Sequence, residues 1–538
     1  MYLVFKKMGL IEDIKEQVDR GFEETSKVKN KSEKKLGEPL DWNTDAEEPI
    51  YLDEKRKRKN ERLDRNEETE LLRKRKEDFE EDDLTKITKS PHLHEEGIND
   101  SPLTKVVNGK KVLYLPEFDL EEDMVGFWRH KWPSKHLGKF GMKWQVKGAM
   151  EPIVYRPTKE ELKQPGRSNV ELKPANSPEL ANKTHQAYAL ERIKEQIDES
   201  DVIVFGRTNN NFLRDVFEYA KATGKVVGYE FDDLLIGKHG FFREPGKHGE
   251  KSLGDYIEEQ VKGADFVTVT TPYLKEVVAK SRGNNKNIYI IKNRLPLDVI
   301  GKYMPKIKKA KEKGEIRIGW AGGKYHFGNV FAMREVMKKL HDKYGDRLTF
   351  VFKGFNSENM LNPNEKKALS EFENFFKKNS IKYELHGYTP FSKGWENYYK
   401  ELGKLNLDIF FSPAVEFNPE NPEYWQHEAK SELKYLEAAF IGAPIVTPAI
   451  GGHKHEVKHM KTGMLVNPKN REEGFYRSLD YLIANPEERE YIARAARKDL
   501  IEKRDAEISS TELATVFAEQ IQRKKGKPME EVLMEEAA

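Results

Sequence analysis

From Lys110 onward, short apolar runs alternate with amphipathic stretches, and this alternation constrains the chain more than any other feature. A continuous apolar run suits a strand buried on both faces, and an amphipathic stretch suits a helix that covers one of them. The pattern therefore predicts α/β layers built on parallel sheets. A first series places strands over 112–115, 202–205, 226–231, 266–269 and 288–291, with helices over 213–222, 256–262 and from Pro272 onward. A second series places strands over 316–320, 348–352, 383–385, 408–411 and 445–446, with a helix over 329–344 and closing helices over 472–503 and 507–522. Between them, 296–314 holds Lys302, Lys306, Lys308, Lys309, Lys311 and Lys313 and little to build a core, so it reads as an interdomain connection.

The expected fold class is thus α/β, two Rossmann-like domains in tandem. The expected boundaries are a charged, helical or disordered extension over 1–105, an N-terminal domain over 106–300, a C-terminal domain over 301–505, and a closing helix with a charged tail over 506–538. The extension is defined by mixed charge blocks at 53–59 and 77–83 with few apolar anchors. At 538 residues the chain has room for several cores. It has no cysteine, which excludes disulfides, thiolate metal sites and a thiol nucleophile. A net charge of +2 gives no overall field to attract nucleic acid, although local patches remain open. No run approaches the ~18 apolar residues of a membrane span, and Met1 to Leu10 is interrupted by Lys6 and Lys7. The expected location is cytoplasmic.

Ligands of open parallel sheets bind beyond the carboxyl ends of the strands. Gly322 and Gly323 follow a strand and precede a helix, but they lack the spacing of a dinucleotide loop, and an ordinary tight turn explains them equally. The stretch 430–446 is richer. If helical, it gathers Lys430, Lys434 and Glu437 on one side and Leu433, Leu436 and Phe440 on another, with Gly442 and Pro444 ending it. Two ammonium groups beside a carboxylate suit a nucleoside diphosphate, the cations for phosphate and the carboxylate for ribose hydroxyls. A solvated Lys-Glu helix face is the competing reading. Asp232 and Asp233 read as a polar strand-end cap rather than a metal site, and His453, His455 and His459 as a loop rather than a zinc site. Trp128, Trp132 and Trp144 among Arg129, Lys131, Lys135, Lys139 and Lys143 read either as an aromatic-basic acceptor surface or as a packed insertion.

The run Lys430-Ser431-x-Leu433-Lys434-x-Leu436-Glu437-Ala438-Ala439-x-x-Gly442-x-Pro444-Ile445-Val446, with Gly451-Gly452, Glu456 and Gly463-Met464-Leu465-Val466 after it, resembles the donor-binding region of glycosyltransferase family 4. Gly319-Trp320-Ala321-Gly322-Gly323-x-x-His326, Asp408-Ile409, Ser412-Pro413, Phe417-Asn418, the 229–235 run and Thr270 to Leu274 add to the resemblance, which covers about residues 200 to 500. It implies a GT-B fold and a retaining, metal-independent hexosyl transfer from a UDP- or GDP-linked sugar. It implies that Glu437 holds the ribose, and that Lys430, Lys434 and His326 lie at the diphosphate and reacting groups. Gly322 and Gly323 would let the donor or acceptor approach the backbone, His386, Gly387 and Tyr388 would cradle the base, and Gly451, Gly452 and Glu456 would reach the sugar phosphate. The acceptor, whether glycan, protein or nucleic acid, would enter from the first domain and its insertion near 117–185, with closure about 296–314.

Two departures stand out. Ala429 occupies the place of a second family Glu, with Glu428 and Glu432 close by, and 419–429 is an added stretch that would reshape the pocket or act as a flap. Two further readings accompany the enzyme: an inactive GT-B-like binding or structural protein, and a glycosyltransferase acting on nucleic-acid bases.

Overall fold

Apolar runs without polar alternation need cover on both faces, and two sheets flanked by helices provide it. The computed structural model describes residues 101–116, 127–146, 153–155, 171–173, 193–206, 211–240, 251–309, 314–356, 362–389, 394–415 and 417–526. All of these fall within one compact unit, Asp83–Val532. The charge blocks of the N-terminal extension and most of 117–185 lie outside the described residues.

The first half runs α1 (Pro102–Val107), β1 (Lys111–Pro116), β2 (Lys143–Val146), a short antiparallel ribbon of β3 (Ile153–Tyr155) and β4 (Glu171–Lys173), then β5 (Val202–Gly206), α2 (Asn211–Ala222), β6 (Val226–Phe231), α3 (Leu253–Gly263), β7 (Phe266–Val269), α4 (Pro272–Arg282) and β8 (Ile288–Ile290). Its sheet is parallel throughout, in the order β2-β1-β5-β6-β7-β8. Helix α4 starts as its sequence demands: the Thr271 side chain accepts from the Leu274 amide, and Pro272 sits in the first turn where no amide is needed.

The second half runs β9 (Ile316–Ala321), α5 (Arg334–Tyr344), β10 (Leu348–Lys353), α6 (Pro363–Lys378), β11 (Tyr383–His386), α7 (Glu396–Lys404), β12 (Ile409–Phe411), α8 (Pro422–Ala429), α9 (Leu433–Ile441), β13 (Ile445–Pro448), α10 (Gly451–Glu456), β14 (Met464–Val466), α11 (Arg471–Ala484), α12 (Pro486–Lys503) and α13 (Ala506–Lys524). This sheet is also parallel, in the order β11-β10-β9-β12-β13-β14. Its core is the cluster around Ile318, Phe350, Phe352, Phe372 and Ile409, all fully buried.

The chain passes twice between the sheets, and the two crossings lie side by side. Leu295 pairs with Asp505 in a parallel bridge, and helix α13 then returns to the first sheet, packing Leu513, Phe517 and Ile521 with Val112, Tyr114 and Phe266. The connection is less bare than its lysines suggested: Ile300, with the neighbouring Leu295, is fully buried beside Trp132, Tyr399 and Phe440. Other differences also have local causes. The helix expected over 329–344 is split into a turn, Phe327–Phe331, and α5, and the stretch expected as closing helix over 472–503 is broken at Asn485-Pro486, where proline has no amide to continue the helix. Strand β2 has no apolar run because it lies at the sheet edge with Lys143 exposed. Among the described residues, no helix is long and apolar enough to cross a membrane.

Candidate active site

In the second sheet the strand order reverses between β9 and β12, so the connections that leave these strands diverge and open a crevice at their carboxyl ends. Two segments border it: the loop from Gly322 to His326 after β9, and the segment after β12 that forms α8 and α9. The loop is held close to its neighbour, with the Gly322 amide donating to the Lys353 carbonyl at 3.0 Å. Gly354, with φ of +118°, is what permits this: a Cβ there would lie 1.7 Å from the Gly322 oxygen. Sequence reading passed over Gly354. Gly322 abuts the Trp320 ring, whereas Gly323 is exposed.

Helix α9 carries Lys434 and Glu437 one turn apart, paired at 2.7 Å. Glu437 is only 2 % exposed, and the Tyr398 hydroxyl donates to its other oxygen at 2.9 Å. Lys430 is not on this helix. It is the C-cap of α8, in extended conformation, because α8 ends and α9 begins between the two lysines. Its ammonium pairs with Asp233, on the loop after β6 of the first sheet. The two lysines still act on one place. Burial, then Lys434 and Lys430, push His326 down to about 4, against the opposing pull of Asp233. His427, on α8, is lowered to about 3 by burial, then by His326 and Lys430. The two imidazole rings lie 6.1 Å apart, and the Asn329 amide is 3.4 Å from His427 Nε2. His453, in the first turn of α10, is buried and lowered to about 4 by burial and by Lys434, and among the described residues its Nε2 has no hydrogen-bond partner. At neutral pH the three imidazoles of the site are thus uncharged.

The segment after β11 lies to one side. His386 Nε2 is 3.1 Å from Glu384, whose carboxylate also receives both Arg317 amino groups and is held down to about 2, chiefly by that guanidinium. Gly387 is packed against Asn356, and its carbonyl accepts from Lys353. Tyr388 is half exposed; it adds a little to the effect of burial and then Glu437, which together raise the Tyr398 phenol well above its ordinary range. On the opposite side, Gly451 and Gly452 bring α10 against the turn between α8 and α9: a Cβ at Gly451 would lie 2.6 Å from the His427 and Lys430 carbonyls, and the Gly452 amide donates to Lys430 at 2.7 Å. Glu456 is engaged elsewhere, paired with Lys292 at 2.7 Å and Arg504 at 2.6 Å. Burial works to raise its carboxyl, but these cations hold it below the usual range, while the neighbouring Glu432 is raised by burial and by Glu456.

The added stretch is a bridge between the sheets. The Trp425 ring on α8 is stacked against His239 at 5.4 Å and Tyr273 at 5.9 Å, both from the first half. Gln426 donates to the His239 carbonyl at 2.6 Å, and Thr271 donates to the Ala429 carbonyl at 3.2 Å. Ala429 is fully buried in the first sheet's core cluster. Glu428 pairs with Lys454, and Glu432 faces Arg504 at 3.6 Å.

The aromatic-basic reading of the 128–144 stretch gives way to packing. Trp132 is 2 % exposed and makes an edge contact with Trp395 at 4.7 Å, Lys135 pairs with Asp298, and Lys139 pairs with Glu507. Trp144 is half-buried on β2, and the Trp128 side chain lies outside the described residues. Arg129 is buried, donating to Glu230 at 2.5 Å and to Asn293 at 2.9 Å, and Asn293 donates in turn to Ser431 beside Lys430. Glu230 was the available signal, since a carboxylate in an apolar strand calls for a buried cation. His459 accepts from the Leu465 amide, and among the described residues no three His, Asp or Glu side chains meet as a metal site.

Residues 325–499, which include strands β10 to β14, match the family model described as glycosyl transferases group 1. The chain has the GT-B fold. It superimposes on a glycosyltransferase from Rickettsia africae with a TM-score of 0.52 at 14 % identity, covering 77 % of this chain and 99 % of that one. It superimposes on Anabaena HepE, solved with UDP and glucose, with a TM-score of 0.51 at 11 % identity, covering 76 % and 99 %. For the sucrose-phosphate synthase of Thermosynechococcus elongatus the TM-score is 0.50 at 11 % identity, covering 76 % and 98 %. No curated protein sequence matches.

Proposed function

We propose that this chain is a retaining glycosyltransferase that takes a sugar, in the simplest case a hexose, from a UDP- or GDP-linked donor without a metal ion. The observation that carries this reading is the gathering of Lys430, Lys434 and Glu437 at the strand-order reversal of the second sheet. The match to glycosyl transferases group 1 and the UDP present in HepE support it.

The diphosphate lies against Lys430 and Lys434, and Glu437, held by Tyr398, accepts from the ribose hydroxyls. The base rests by Tyr388, along the segment His386 to Tyr388. Gly323 leaves room for the donor at the β9 loop, and the glycines at the start of α10 bring that helix up to the site. Each ammonium now rests on a carboxylate, so an arriving diphosphate exchanges one anionic partner for another. In the transfer the bond from the anomeric carbon to the diphosphate oxygen breaks, and the acceptor hydroxyl bonds to the same face of the sugar. Its proton passes to the departing phosphate oxygen. The protein then needs no strong base, and its main contribution is to neutralise the charge that grows on the diphosphate. Neutral His326 beside the lysines provides a hydrogen bond to the reacting groups. The acceptor enters from the first-sheet side.

The test is a panel of UDP- and GDP-sugars with EDTA present, reading sugar release and transfer by mass spectrometry. Turnover that persists in EDTA and falls sharply in Lys434→Gln and Glu437→Gln supports the reading. A chain that binds and turns over no nucleotide-sugar, or one whose turnover EDTA abolishes, overturns it.

A further inference from the structure

We propose that His427, on the bridging helix α8, is a donor-positioning residue whose imidazole, side by side with that of His326, takes hydroxyls of the donor's sugar ring while Lys430 and Lys434 hold the diphosphate. This rests on the function proposed above and assigns the sugar end of that site.

Three observations converge. First, the two rings come from different elements, the β9 loop and α8, and meet edge to face at 6.1 Å with the Asn329 amide 3.4 Å from His427 Nε2, so polar groups from separate elements converge on one place. Second, His427 is only half-buried, while its neighbours Gln426, Glu428 and Ala429 are buried in contacts with the first sheet and α10. The helix is anchored through those neighbours and through Trp425, which leaves His427 turned to the crevice. Third, two carboxylates that could have served a sugar here are occupied: Glu428 by Lys454 and Glu432 by Arg504.

The chemistry fits a hydroxyl-bearing ring. Burial first, and then the surrounding charged and titratable groups Lys430, Lys434, His453 and Arg471, opposed by Asp233, keep both rings neutral. A neutral imidazole offers one N–H and one lone pair; on His427 the Nε2 already faces the Asn329 amide, so Nδ1 is the position that meets a sugar hydroxyl. The division of labour follows: fixed cations face the fixed anion, and neutral groups face the neutral ring.

The experiment compares the nucleotide with its sugar conjugate. UDP and UDP-glucose, with GDP and GDP-mannose in parallel, are titrated calorimetrically into wild type, His427→Ala and His427→Gln, with thermal midpoints recorded. The expected result is an affinity for the bare nucleotide within about twofold of wild type in both variants. Affinity for the sugar-nucleotide should fall about tenfold in His427→Ala, the scale of one lost hydrogen bond, and recover in part in His427→Gln, whose amide again donates and accepts. Equal weakening of nucleotide and sugar-nucleotide, or a lowered midpoint with no selective loss, makes His427 a structural residue and overturns the inference alone. So does an unchanged affinity for the sugar-nucleotide. A wild type that binds neither class of ligand overturns the underlying function, and the inference with it.

Discussion

The two sheets have closely related topologies, yet their reversal points are used differently. In the first sheet the order reverses between β1 and β5, and that place is filled by the protein's own side chains: a Cβ on Gly206 would lie 2.6 Å from the His130 ring. Beside it Arg129 and Glu230 form an ion pair with 1 % and 5 % of their side chains exposed, and despite burial the guanidinium and His130 hold Glu230 below the usual carboxylate range. In the second sheet the corresponding place keeps its two cations partly accessible, although Glu437 is as buried as Glu230. Lys430 has 39 % of its side chain exposed and Lys434 has 21 %. A buried, fully satisfied ion pair resists exchange because either partner alone would be stranded, whereas a partly exposed one can trade its partner for a ligand at small cost. Topology alone therefore does not locate a site; the accessibility of the charges does.

The sharpest way to break this contrast is Arg129→Ala. It strands Glu230 in the interior, and we expect a loss of about 3–5 kcal/mol in unfolding free energy by urea titration. A loss below about 1 kcal/mol would contradict the closed reading of the first crevice. Next is Lys434→Gln, which keeps a donor toward Glu437 but removes the charge that faces the diphosphate. A charge-assisted bond of about 1.5–3 kcal/mol corresponds to a fall of roughly ten- to a hundredfold in kcat/KM for the sugar-nucleotide, with a much smaller change in thermal midpoint than Arg129→Ala.

Acid should reach the open crevice in a defined window. His326 and His427 have folded values of about 4 and about 3, below the ordinary 6.5, so between these limits the unfolded chain binds more protons than the folded one. Their contribution to stability is complete above pH 6.5 and is lost as pH falls toward 3. The double variant His326→Gln, His427→Gln should show a shallower fall in thermal midpoint over that range, and identical slopes would contradict it. The smallest expected effect is that of Trp425→Ala. Removing its stack on His239 and Tyr273 should cost about 1 kcal/mol and loosen the contact between the halves, read as a larger radius of gyration in solution scattering with core stability nearly unchanged.

Much of this architecture was legible in the sequence, for physical reasons. Buried central strands have to be continuous apolar runs, so 226–231 and 266–269 coincide with β6 and β7 residue for residue. Edge strands need not be apolar, which hid β2, while β14 is apolar but only three residues long. At the site, the pairing of Lys434 with Glu437 follows from helical spacing, whereas the partner of Lys430 does not, since Asp233 is 197 residues away in the chain. Helix α8 could have been found from Asn421-Pro422, a cap followed by a first-turn proline, but its contacts with His239 and Tyr273 lie far off in the chain, so its local sequence does not show that it spans both halves. The imidazole pair was out of reach, because His326 and His427 meet only through the fold.

The measurement that bears most directly on the central claim is a crystal structure of the chain with UDP bound. The account predicts the diphosphate within hydrogen-bonding distance of Lys430 and Lys434 and a ribose hydroxyl on Glu437, with the Lys430–Asp233 pair opened. UDP seated at the first sheet's reversal point, or resting away from α9 with both lysines still on their carboxylates, would contradict it.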